Sequence, residues 1–167
     1  MAYELMLMVD GIPRETMPSA LESHGIQLND YARIYMNHRD FQSGTTPHPV
    51  RMMVISLEEL GLKNGATFPQ IMDAAQKRGL HPCAPAAGVY LRLNLTKQKV
   101  SQNSILTGTH EAPEGAITVI SRLLETDCSF PRGLYLRNVD GALWLRGYTC
   151  DDEYRWKPAD VFAFEIK

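Results

Sequence analysis

GLYLRNVDGALWLRGY, Gly133–Tyr148, is the stretch whose reading decides the fold. Asp140-Gly141 lies between two alternating apolar runs. That dipeptide suits a two-residue type I′ turn, in which both central residues need a positive φ that Asp and Gly tolerate. The stretch therefore predicts a β-hairpin, with Val139 facing Ala142, Asn138 facing Leu143 and Arg137 facing Trp144. Further from the turn, Leu136 faces Leu145 and Tyr135 faces Arg146. Strand side chains alternate between faces. Leu134, Leu136, Leu143 and Leu145, with Asn138 near the turn, form a core face. Tyr135, Arg137, Val139, Ala142, Trp144, Arg146 and Tyr148 share the other, where two arginines lie across from two aromatics and cation–π contacts of roughly 0.5–1 kcal/mol each are expected.

That second face has three readings. It is a solvated surface on which arginine stems shield the rings, a surface covered by another segment of the chain, or a platform for an anion, a peptide or unpaired bases.

Outward from the hairpin, the C-terminal half alternates strands with turns. Ala116–Leu123 reads as a strand, Glu125–Arg132 as a loop, and Val161–Ile166 as a final strand. With no helices between them, these strands predict an antiparallel sheet. Gly88–Leu95 sets Val89, Leu91, Leu93 and Leu95 against Tyr90, Arg92 and Asn94, the pattern of a half-buried strand. Thr96–Gly115 is a long polar loop, and His81–Ala87 is too rich in proline to be regular.

In the N-terminal half, Tyr3–Val9 reads as a strand and Pro18–His24 as a short helix stopped by Gly25. Tyr31–Met36 fits a strand by content, although Asn29 and Asp30 suit a helix cap; the strand is the expectation. Gln42–Pro49 is a loop and Val50–Ile55 a strand. Ser56 and Glu59 have capping-box spacing, which predicts a short helix over Leu57–Leu60. Thr67 caps the clearest helix, with Phe68, Ile71, Met72 and Ala75 on one face and Gly79 ending it.

At 167 residues the chain suits a single α+β domain spanning 1–167. The expected architecture is a mainly antiparallel sheet, or a partly open barrel, with two or three short helices. A net charge of −2 and a pI near 6.2 provide no basic field for duplex DNA, so nucleic acid is a disfavoured partner. Cys83, Cys128 and Cys150 are an odd set without C-x-x-C, which fits a reducing cytoplasm rather than a disulfide framework. Leu5–Val9 lacks a basic lead-in and suits a strand rather than a signal peptide. No stretch approaches the roughly 20 apolar residues that span a bilayer, so no membrane partner is expected.

Catalytic signatures are weak. Neither G-x-S-x-G nor a phosphate-binding glycine loop occurs. His81 and Cys83 are closely spaced, and Thr107–Glu111 sets His110 beside Glu111. These four are the candidates for acid–base or thiol chemistry in a small enzyme, provided the two loops meet in a concave site. Metal ligands lack the paired spacing of zinc sites, and neither a metal nor a cofactor is expected.

LGLKNGATFPQIMDAAQKRGLHPC, GVYLRLNL, EGAITVISRLL and GALWLRGYTCDDEYRWKPADVFAF together resemble a family of short, uncharacterised bacterial proteins, some of which carry the label helicase. The resemblance runs from about Leu60 to the C-terminus. Its most specific parts are W-L-R-G-Y-x-C over Trp144–Cys150 and W-x-P-x-D over Trp156–Asp160. It implies a shared fold and no catalytic residue. A helicase motor needs a P-loop lysine and two motor-sized domains, and this chain has neither.

The leading expectation is a non-enzymatic binding or protein-interaction module. Tyr135, Arg137, Trp144, Arg146 and Tyr148 would be its contact residues, with Trp156 and Arg155 nearby, because Arg and aromatics are enriched at binding hot spots. Its partner would be a protein or a small anionic or aromatic ligand. Behind it stand the small enzyme and a nucleic-acid binder of winged-helix type, with Leu57–Leu60 and Phe68–Arg78 as the helix pair and the hairpin as the wing.

Overall fold

A computed structural model describes residues 1–101 and 112–167. His110 and Glu111 therefore lie outside the described residues. In chain order the elements are β1 (Tyr3–Val9), a 3-10 turn at Arg14–Thr16, α1 (Met17–Ser23), β2 (Gln27–Leu28), α2 (Asp30–Met36) and β3 (His48–Ser56). Then come α3 (Phe68–Gln76), β4 (Leu80–His81), α4 (Ala87–Asn94), β5 (Ile117–Val119), β6 (Gly133–Val139), β7 (Ala142–Tyr148) and β8 (Val161–Ile166). The fold is α+β. Its eight strands form one mostly antiparallel sheet in the order β1-β3-β8-β5-β6-β7-β2, with β4 also on β8. The sheet is open, not closed into a barrel.

β6 and β7 pair antiparallel through Asp140-Gly141, with Arg137 opposite Trp144 and Tyr135 opposite Arg146. Asp140 has φ 52° and Gly141 φ 88°, the conformation a two-residue turn of this hand demands. The last strand lies mid-sheet. β8 pairs antiparallel with β3 and parallel with β5, so the C-terminal strands are not purely antiparallel.

That central position follows from residues apolar on both faces. Phe162 and Phe164 point into one core cluster with Phe68, Ile71, Ala75 and Trp156, and Ala163 points into the other. The second cluster packs α1, α2 and α4 on Leu7, Met52, Val119, Leu134, Leu136 and Leu145. The sheet thus has three helices on one face, while α3 covers only the β4/β8 side of the other.

Three local expectations need correction. Gly88–Leu95 is not a strand but most of α4. Val89, Tyr90, Leu91 and Arg92 are all buried, so the helix has no polar face to betray its period. Tyr31–Met36 is also helical. The Asn29 side chain accepts from the Ala32 N–H at 2.8 Å, and Ala32, Tyr35 and Met36 are buried at helical spacing. Leu57–Leu60 is one turn rather than a helix. The Ser56–Glu59 box forms, but Leu62 N–H reaches Leu57 C=O at 2.8 Å over Gly61 at φ 100°, a Schellman closure that ends the turn at once. The helix pair of a winged-helix reader is accordingly not formed.

Candidate ligand-binding cavity

On the α3 side no described helix lies over β5–β7, and a cavity of about 610 Å³ opens there. Alternation along the strands supplies its floor: Thr118, Tyr135, Arg146 and Tyr148. Its wall is the chain leaving β7, with Asp151, Glu153, Tyr154 and Trp156. Asn29 and Tyr31, at the start of α2, form the opposite rim, next to Ala112 and Pro113.

The rim is fixed by one side chain. Asn29 Oδ1 accepts from the Gly147 N–H at 2.8 Å as well as from Ala32, while its Nδ2 donates to Gly147 C=O at 3.1 Å. Position 147 has to be glycine. A Cβ there would stand 2.5 Å from the Tyr31 carbonyl carbon.

Arg146 is the cation of the floor. Its Nε donates to the Tyr135 hydroxyl at 2.8 Å, and its guanidinium carbon lies 5.0 Å from the centre of the Trp144 ring. Among the described residues no carboxylate pairs with it, and its one hydrogen bond leaves the Nη groups unengaged. Tyr148 lies across from Gly133, which has no side chain to obstruct the ring. It meets Tyr135 edge-on at 6.2 Å and Trp156 at 6.0 Å. Tyr154 packs on Trp156 at 5.0 Å. Trp156 is anchored by two backbone bonds to Ala66. Among the described residues, its indole N–H and the Tyr148 hydroxyl are buried without a partner. Burial raises the Tyr148 pKa well above its ordinary value, with Cys150 and Tyr35 adding to it.

Cys150 also lines the cavity. Burial pushes its thiol up to about 11 despite the pull of Arg132, so it is protonated at neutral pH. No histidine lines the described wall. The arrangement can hold a ligand by charge, ring surface and hydrogen bonds, and among the described residues it pairs no base with a nucleophile.

Of the residues singled out from sequence, Tyr135, Arg146, Tyr148 and Trp156 meet at this cavity. Arg137 does not. It is 2% exposed, its Nε donates to Ser101 Oγ at 3.0 Å, and desolvation lowers its pKa. This half of the face is covered by the chain itself, since Val100 and Ser101 run beside β6 at Asn138. Trp144 reaches the cavity only through Arg146. Arg155 turns away to donate to the Asn64 and Gly65 carbonyls.

His81 pairs with Glu165 in the β4–β8 ladder. Cys83 is 1% exposed, and burial, then Glu165, holds its thiol protonated. No group of three potential metal ligands exists among the described residues. Sequence reasoning missed Asn29, Tyr31, Asp151, Glu153 and Tyr154. Asp151 and Glu153 were visible as an acidic turn, with no signal that it borders a cavity.

No family model, curated protein or solved structure matches the chain. Among the described residues, no helix is long and apolar enough to cross a membrane.

Proposed function

We propose that this chain is a binding module which takes a ligand with an anionic group and a planar or apolar body into the cavity over β5–β7. The observation that carries this is Arg146, aimed by Tyr135 and, among the described residues, left without a carboxylate inside a ring-lined space. A lone cation in such a space gains most from an anion that brings two acceptor oxygens, because bidentate guanidinium pairing is strong and directional. The volume falls in the roughly 300–1,000 Å³ range of small-molecule sites. The ligand is a free molecule or the exposed end of a protein partner. The three cysteines are free thiols, which supports a reducing cytoplasmic setting.

The chain's two tryptophans, one beneath Arg146 and one in the wall, make intrinsic fluorescence the natural readout. Titration with aromatic carboxylates is expected to change it saturably. Arg146→Met should weaken binding about 10-fold or more, the loss of a charged hydrogen-bond pair worth ~1.5–3 kcal/mol. Equal affinity in the variant and wild type would remove the reading.

A further inference from the structure

We infer that the ligand of this cavity is a small zwitterion, a free amino acid or short peptide, with its carboxylate on Arg146 and its ammonium toward Glu153 and Asp151. This rests on the reading above and names the ligand class within it.

Charges of both signs line the cavity, yet among the described residues no ion pair joins them. The contrast lies one residue away. Arg132 binds Asp152 at 2.8 Å, so the loop after β7 does make an ion pair, and makes it away from Arg146. Among the described residues Asp151 spends only Oδ1, accepting from the Glu153 and Tyr154 N–H groups at 2.9 Å each, which fixes the loop and leaves Oδ2 unengaged. The Glu153 carboxylate makes no bond among the described residues.

The rings of Tyr148, Tyr154 and Trp156 line the same cavity as these charges. Their faces attract a cation and also pack an apolar side chain. Trp156 is 5% exposed and lines the cavity, so its ring is held in place as a wall. A simple anion would balance Arg146 but bring its own charge near two carboxylates, and a simple cation would do the reverse. A zwitterion satisfies both ends, and this charge matching sets specificity against either singly charged analogue.

The test is calorimetric titration of the wild-type protein at neutral pH. The probes are phenylalanine, N-acetylphenylalanine, phenylalanine amide and a phenylalanine dipeptide. Free phenylalanine or the dipeptide should bind at least 10-fold tighter than both blocked forms, and the tighter of the two fixes the charge spacing. Glu153→Gln, at an exposed position, should erase the preference over the N-acetyl form, and Arg146→Met the preference over the amide. If N-acetylphenylalanine binds as well as phenylalanine, the zwitterion is overturned while the anion site stands. If the amide binds as well as the free acid, or nothing binds, both fall.

Discussion

At the scale of single residues, Asn29 links the most structure. One side chain caps α2, ties it to both polar groups of Gly147 and so sets the rim of the cavity. Asn29→Ala is expected to cost ~2–4 kcal/mol in urea denaturation, about 1 from the cap and the rest from orphaned peptide groups. Asn29→Asp keeps the acceptor for both N–H groups but sets a carboxylate oxygen against the Gly147 C=O, so it should cost ~1–2 kcal/mol, less than alanine. Equal losses for the two would mean the amide donor carries the whole effect. Glu59 gives a pH signature. Its carboxylate accepts from the Ser56 N–H and hydroxyl and from the Ala2 N–H, which holds it down to about 2 against an ordinary 4.5. A depressed carboxyl stabilises the fold fully above 4.5, and this stabilisation drains away as pH falls toward 2. Since the side chain is 33% exposed, solvent screening keeps the contribution below about 1 kcal/mol. The melting temperature of Glu59→Gln should therefore trail wild type at pH 7 and converge with it near pH 2; a gap independent of pH would assign the effect to packing.

At the scale of elements, legibility tracked whether an element shows water one face. β1 and β8 have the bounds their sequence predicts, and the β6–β7 register follows from Asp140-Gly141. α4 was illegible because its polar atoms are consumed inside the fold. Tyr90 accepts from the Ile12 N–H at 3.1 Å, and Arg92, wholly buried, donates to the Leu95 and Trp144 carbonyls and to Gln98 Oε1. Burial lowers Arg92 to about 10, so it remains a cation at neutral pH, surrounded by neutral acceptors. Gln98 in turn donates to Gly115 and Leu136 C=O. Arg92 therefore holds the 98–101 segment that covers Arg137. Arg92→Leu should cost ~3 kcal/mol or more by stranding these acceptors. Arg92→Lys should not rescue it, because one ammonium lacks the spread of a guanidinium. Hydrogen exchange at the Ser101 amide, which donates to Asn138 C=O at 2.7 Å, should quicken in both variants. Protection at the wild-type level would show that the segment holds without Arg92.

At the scale of the whole molecule, the placing of helices explains why a cavity exists. Among the described residues, three helices fill one face of the sheet and α3 on the other stops short of β5–β7, where the loop 149–156 and its neighbours lie over the strands. The sequence marked this face through its alternation. It did not mark which half the chain would cover, because Arg137 meets Ser101, and Tyr31 meets Gly147, only through long-range packing. The same unevenness affects the two edges. β2 is two residues long and continues straight into α2, a short and sheltered edge. β1 is seven residues long, pairs among the described strands only with β3, and shows Met6 at 59% and Met8 at 53% exposure. It has no lysine or proline, and its one charge, Glu4, is neutralised by Arg51 at 3.0 Å. Exposed strands of this kind are templates for further pairing, which natural proteins usually blunt with charge. Met6→Lys should therefore slow heat-induced aggregation, followed by light scattering, and change unfolding stability by no more than ~0.5 kcal/mol, as surface substitutions do. The neighbouring substitution Met52→Lys buries its charge in the core and should unfold the protein, separating an edge effect from a loss of solubility through unfolding. Were Met6→Lys to aggregate as fast as wild type while equally stable, association would have to begin from opened chains rather than from the intact edge of β1.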